Sequence, residues 1–237
     1  MTSIVFDAST IISLAMTNTL WILRPLKKKL KGEMYLPEEV KKEVIDRPLH
    51  SPKFKLEALQ VLSLVADGTF KIYEKKETLA KEEFLRTLVD NMFFARGRYL
   101  KVAHAGEIGM VAAAIMANSE AVAIDERTTR LLIENPMQLE RILESKLHTD
   151  VKVNKKNMEL WKREVSGLKV VRSAELGVIA FEEGILEQYM DPAVQKLIDL
   201  PLKRSVLEGF LWATKLSGCA ITSKEIKEVL RIEKLKR

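Results

Sequence analysis

Hydrophobic and polar positions along this chain alternate between two rhythms. Short, mostly apolar runs (Ile4-Val5-Phe6, Met34-Tyr35-Leu36, Ala121-Val122-Ala123-Ile124 and Leu168-Lys169-Val170-Val171) have the length and content of strands. The first suits a strand buried on both faces, as in a parallel sheet covered by helices. Between the runs, apolar residues recur every three or four positions, the spacing of one helix face. This holds for Ile11 to Met16, for 53–66, from Glu77 to about Tyr99, and for the alanine-rich stretch after His104. It holds again from Glu126 to Ile133 and from about Ala174 to Tyr189, while Thr69 to Tyr73 reads as a further strand. Pro37 fits the first helical position, Glu38 and Glu39 suit the positive end of a helix dipole, and Pro48 should stop that helix after about Asp46. Strands alternating with helices predict an α/β domain with a parallel sheet.

Two regions depart from that alternation. Residues 136–167 are polar and mostly helical by pattern, with Leu139, Ile142, Leu143 and Leu147 on one face. Beyond Asp191-Pro192 lie two or three more helices, the last opened by a capping box of Thr222 with Glu225. The expected organisation is therefore a domain over 1–190, with 136–167 inserted, and a helical extension over 191–237.

Composition narrows the function. With 237 residues, 47% hydrophobic and 30% charged, the chain can bury a full core. The longest apolar run, Ile108 to Ala117, is about half of the roughly 18 residues needed to cross a bilayer. The first residues lack the charged region and cleavage site of a signal peptide, so the expected setting is the cytoplasm, with no membrane partner. A single cysteine, Cys219, excludes an internal disulfide and a cysteine-rich zinc site; it reads as a small buried hydrophobe. A net charge of +6 suits polyanionic partners and also plain solubility. The Lys27-Lys28-Lys29-Leu30-Lys31 cluster reads either as a solvated helix end or as a phosphate-facing patch. Abundant Lys and Glu with four Gln fit a heat-loving source.

The candidate chemistry lies in acids placed by the strand-helix rhythm. Asp7 directly follows the first strand, with Ser9 and Thr10 as possible caps of the next helix. Asp125 repeats the arrangement after Ala121–Ile124. Glu107 falls in the first turn of its helix behind Gly106, and Glu43 lies beside Val40 and Val44 near a packed face. Parallel strands put their carboxyl ends on one edge, where open α/β sheets bind ligands. Helix capping explains any one of these acids alone. Four together repel one another unless a divalent cation neutralises them, and an all-oxygen set suits Mg²⁺ or Mn²⁺.

The residues that carry these features, taken in order, resemble the PIN domain. They are Ile4–Phe6 with Asp7-Ala8-Ser9, Pro37-x-x-Val40-x-x-Glu43-Val44, His104-Ala105-Gly106-Glu107 and Ala123-Ile124-Asp125-Glu126-Arg127. Lys169-Val170-Val171 through Glu175-Leu176-Gly177-Val178, then Glu183-Gly184-Ile185-Leu186, are similar to the closing strand and helix of that family. The resemblance spans roughly 1–135 and 168–190 and rests on the ordered set of acids. It implies a three-layer α/β/α sandwich and a metal-dependent nuclease acting mostly on RNA. Asp7, Glu43, Glu107 and Asp125 would hold one or two Mg²⁺ or Mn²⁺ ions. Ser9 or Thr10 would place the metal's water or a phosphate, and Arg127 and Arg130 would lie near the substrate backbone. A homodimer is common among relatives, and 191–237 offers room for a protein partner. Glu126 stands where the family often has a second Asp, and the length exceeds that of small toxin nucleases, leaving toxin-like and RNA-processing roles both open.

Two other classes compete. A non-catalytic module could use the same scaffold to bind nucleic acid or protein. A haloacid-dehalogenase-type phosphatase needs a second Asp two positions after Asp7, where Ser9 stands. No glycine-rich loop followed by Lys-Ser/Thr supports a P-loop. Trp161 and Trp212 read as packing residues and His104 as a structural or solvated one.

Overall fold

The computed structural model describes residues 3–235, so Lys236 and Arg237 of the basic tail lie outside the described residues. Five strands form a parallel sheet: β1 (Ser3–Phe6), β2 (Glu33–Pro37), β3 (Phe70–Tyr73), β6 (Ala121–Ala123) and β8 (Lys169–Val171), in the order β3-β2-β1-β6-β8. Val5 faces Tyr35 on one side and Val122 on the other, and Phe6 faces Ala123. The chain leaves β1 toward β2 and β3, and later returns through β6 toward β8. The β1–β6 boundary is thus the point where strand order reverses, and the crevice beyond its carboxyl end is the usual ligand site of such sheets.

Helices cover both faces, giving the α/β/α sandwich. Ile4 and Phe6 point into one core, Val5 into the other, as the two-residue strand repeat requires. The first core takes α1 (Ala8–Met16), α2 (Leu23–Leu30), α5 (Lys55–Ala66) and α11 (Ser173–Glu182). The C-terminal helices α13 (Leu202–Leu216) and α14 (Ser223–Ile232) enter the same core through Leu207, Leu211, Ile226 and Leu230. Gly177 permits this approach: a Cβ there would stand 1.9 Å from the Phe210 ring. The second core takes α6 (Leu79–Asp90), α7 (Ala105–Met116), α8 (Arg127–Glu134), α9 (Pro136–Leu147) and α10 (Lys155–Glu164). The short α12 (Pro192–Gln195) opens on Asp191, which caps it, and the Thr222–Glu225 capping box opens α14 as expected.

Several expectations need correction. The helix expected from Glu77 to Tyr99 ends at Asp90, and a hairpin follows: β4 (Phe93–Ala95) pairs antiparallel with β5 (Arg98–Tyr99). Arg96 and Gly97 both have positive φ, 52° and 78°, the conformation of a two-residue hairpin turn. The stretch 136–167 contributes β7 (Lys152–Val153) to the other edge of β4, so the insertion and the hairpin form one small sheet. Pro48 does not stop its helix. α3 (Glu38–Lys41) runs through a π turn over Lys42–Asp46 into α4 (Arg47–Leu49), which contains Pro48 directly after the π turn. Pro37 closes β2 and is the N-cap of α3, one position before the first helical residue. Trp161 is a packing residue, fully buried with its Nε1 donating to the Leu132 carbonyl at 2.8 Å, but Trp212 is 37% exposed.

Candidate functional site

Four acids mark the carboxyl edge of the central strands, and each carboxylate serves a helix N-terminus there. Asp7 caps α1, its Oδ2 accepting the Ser9 N–H (2.9 Å) and the Ser9 hydroxyl. Glu107 Oε2 accepts the His104 N–H at the start of α7 (2.6 Å). Glu126 Oε2 accepts the Thr129 N–H at the start of α8 (2.7 Å). Asp125 reaches across to α11, its Oδ1 accepting the Ser173 N–H and its Oδ2 the Ser173 hydroxyl, both at 2.7 Å. The capping reading and the clustering reading of these residues therefore hold together. The positive helix ends let several carboxylates share one edge.

The acids are not equivalent. The capping bonds to Asp7, Glu107 and Glu126 each fall on a single oxygen, whereas both oxygens of Asp125 are engaged. Burial raises Asp7 above the usual carboxylate range, against the hydrogen bonds from Ser9, and the charge of Glu126 adds to the rise. Glu107 is raised by burial, then by the charges of Glu126 and Asp7, while the His104 N–H and the Thr129 hydroxyl oppose the rise. Asp7, Glu107 and Glu126 thus lie within each other's fields, and two of them are destabilised as anions. Ser9 links this group to Asp125, since its Oγ also accepts the Asp125 N–H at 3.0 Å.

The Asp125 side is closed. Asp125 is 1% exposed, and its carbonyl accepts the Ala220 N–H from the loop before α14 (3.3 Å). Arg172 pins that loop by donating to the Ala220 carbonyl (2.8 Å) and to Glu225 (3.0 Å), and it also pairs with Glu175. Burial, then the nearby Asp125 charge, pushes the Cys219 thiol up to about 12, so it is an inert buried group.

The remaining sequence candidates are less central. Glu43 is exposed, contrary to the expected packed position: the π turn carries it to the rim of an apolar pocket with Ile12, Met16 and Phe54. Thr10 is fully buried, and its hydroxyl has no hydrogen-bond partner among the described residues. Arg127 is exposed at the first position of α8, beside Glu126, whereas Arg130 is partly buried and pairs loosely with Glu134 (3.8 Å). The Lys27–Lys31 cluster lies at the opposite, amino edge of the sheet. There Lys27 bonds the Gly68 carbonyl (2.6 Å) and Glu33 (3.0 Å). Sequence reasoning discounted Glu126 as a departure from a pattern and gave Ser173 no role; the acid directly after Asp125 was the available signal.

Among the described residues, no group of three or more His, Cys, Asp or Glu side chains is arranged to hold a metal ion as it stands. Among them, too, no helix is long and apolar enough to cross a membrane. Fold and site together define an α/β/α protein with acids gathered at the carboxyl edge of its central strands. No family model, no curated protein and no solved structure matches the chain.

Proposed function

We propose that the protein is a PIN-like, Mg²⁺- or Mn²⁺-dependent ribonuclease whose working acids are Asp7, Glu107 and Glu126. The observation that carries this reading is the gathering of those three carboxylates at the carboxyl edge of the central strands, each with one oxygen engaged in capping a helix there. The chemistry of the donor set suits a hard divalent cation, being all oxygen and net negative with two members raised by burial and mutual repulsion. No three such side chains among the described residues are arranged to hold one as they stand. Asp7, Glu107 and Glu126 would hold such an ion, and it would supply an activated water and charge stabilisation for a leaving oxygen in phosphodiester hydrolysis.

The chain's own residues supply the rest. Ser9 fixes the Asp7 carboxylate with its amide and hydroxyl, and through the Asp125 N–H it ties β1 to β6. Asp125 is a positioning residue, holding Ser173 and the start of α11. Arg127 stands exposed beside the acids, where a scissile phosphate needs a counter-charge. The test is cleavage of a labelled single-stranded RNA with and without Mn²⁺. Asp7→Asn and Glu107→Gln should each lower metal-dependent cleavage by at least about a hundredfold, the scale of losing one charge-stabilising group. Undiminished metal-dependent cleavage by the double variant overturns the reading.

A second reading, a non-catalytic nucleic-acid- or protein-binding module, is favoured by the full engagement of Asp125 with Ser173. It predicts RNA binding that weakens steeply with salt and no cleavage with either metal.

A further inference from the structure

The hairpin that the sequence pattern hid leads directly into α7, the helix that carries Glu107. From β5 the chain runs through Leu100, Lys101, Val102 and Ala103 to His104, where Glu107 begins its work on α7. Arg98, Tyr99, Lys101 and Thr128 line a groove of about 670 Å³, floored by Leu143 and Leu147 of α9. Thr128, which lines the groove, lies two residues beyond Glu126 in the first turn of α8. Tyr99 is 47% exposed while Phe94 braces its ring edge-on, centroids 5.2 Å apart at 77°. Arg98, Lys101 and Arg127 are exposed and form no ion pair with a described residue. Arg96, at the hairpin turn, ties the hairpin to α9 by bonding the Leu147 carbonyl (2.5 Å). An exposed ring flanked by cations that pair with no described residue is how proteins hold single-stranded nucleic acid.

We propose that this groove binds the RNA single strand beside the cleaved bond, with one base stacked on Tyr99 and phosphates against Arg98 and Lys101. The proposal rests on the ribonuclease reading for its ligand, but binding is measured apart from cleavage. At about 670 Å³ the groove falls within the roughly 300–1,000 Å³ range of ligand-binding clefts and has room for a nucleotide. Stacking and phosphate contact do not read sequence, so the groove selects unpaired strands over duplex.

The experiment is fluorescence-anisotropy binding of a labelled single-stranded RNA oligomer to the full chain in EDTA, across a salt series. Tyr99→Ala should weaken binding about 5- to 100-fold, with Tyr99→Phe close to wild type. The double variant Arg98→Gln/Lys101→Gln should reduce the slope of log K against log salt by about 1.4, two single-strand phosphate contacts. Because both sites are exposed, this variant keeps the test decisive if Tyr99→Ala disturbs the hairpin. Lys28→Gln/Lys31→Gln, at the amino edge, should leave affinity within about twofold. Binding and slope unchanged in the Arg98/Lys101 variant overturn the proposal, as does loss confined to the Lys28/Lys31 variant. Loss at the groove in a protein that cleaves nothing with Mn²⁺ upholds the groove and removes the nuclease.

Discussion

Asp7 and Asp125 follow adjacent strands of one sheet, and each is nearly buried, yet their carboxylates have different surroundings. Asp7 turns back on its own helix and uses one oxygen there; Asp125 leaves its own helix to Glu126 and gives both oxygens to Ser173 on α11. The loop over Cys219 to Ile221, held by Arg172, covers Asp125, while Glu107 and Glu126 stay half-exposed beside Asp7. The difference teaches that a matching position in the strand-helix rhythm sets where a carboxylate sits, not what it does. Its remaining hydrogen-bond capacity decides that, and distant segments of the chain set it.

The largest effect that sharpens this contrast is on stability. Asp125→Ala strips a buried N–H and a buried hydroxyl of their acceptor, at a cost of about 2–4 kcal/mol. The thermal midpoint should then fall by about 5–15 °C. Asp7→Ala loses a cap worth about 1 kcal/mol, partly offset by removing a charge disfavoured by burial. Equal losses measured by calorimetry for the two variants would break the distinction.

Next comes the packing that brings the C-terminal helices over the Asp125 side. Gly177→Ala drives a methyl group into the buried Phe210 ring and should cost about 1–3 kcal/mol, read as a shifted denaturation midpoint. A neutral result would mean that α13 does not need this close approach to α11.

A smaller effect, opposite in sign, belongs to the open side. Asp7 and Glu107 are raised above their ordinary values, so the folded state holds their protons more tightly than the unfolded chain. Their contribution is fully present below the ordinary carboxylate pKa and is lost as pH rises through the raised folded values. Asp7→Asn and Glu107→Gln should therefore raise the thermal midpoint at pH 7, with the gain vanishing below the ordinary carboxylate pKa. A gain equal at pH 7 and below that pKa would contradict the origin assigned to it. The smallest effect is at Cys219, whose thiol should react with a thiol reagent only as fast as the protein unfolds.

Much of the architecture was legible because the apolar rhythm is strong where strands are buried on both faces. Ile4–Phe6 and Ala121–Ala123 gave the sheet centre, and the acids after them gave its edge. The hairpin at 93–99 was not legible by periodicity, since Leu88, Met92 and Phe93 keep helical spacing across the break. The Arg96-Gly97 turn carried the only local signal. Glu43 illustrates a second limit, because a π turn shifts a residue around the helix without any mark in the pattern. The partnership of Asp125 with Ser173, and the cover supplied by residues 219–221, depend on chain segments far apart in sequence.

The most direct test of the central claim is a calorimetric Mn²⁺ titration of the wild type, Asp7→Asn, Glu126→Gln and Asp125→Asn. Wild type should bind Mn²⁺, Asp7→Asn and Glu126→Gln should each weaken binding at least about tenfold, and Asp125→Asn should leave it within about twofold. Absence of binding at millimolar Mn²⁺, or loss of binding through Asp125→Asn alone, would contradict it.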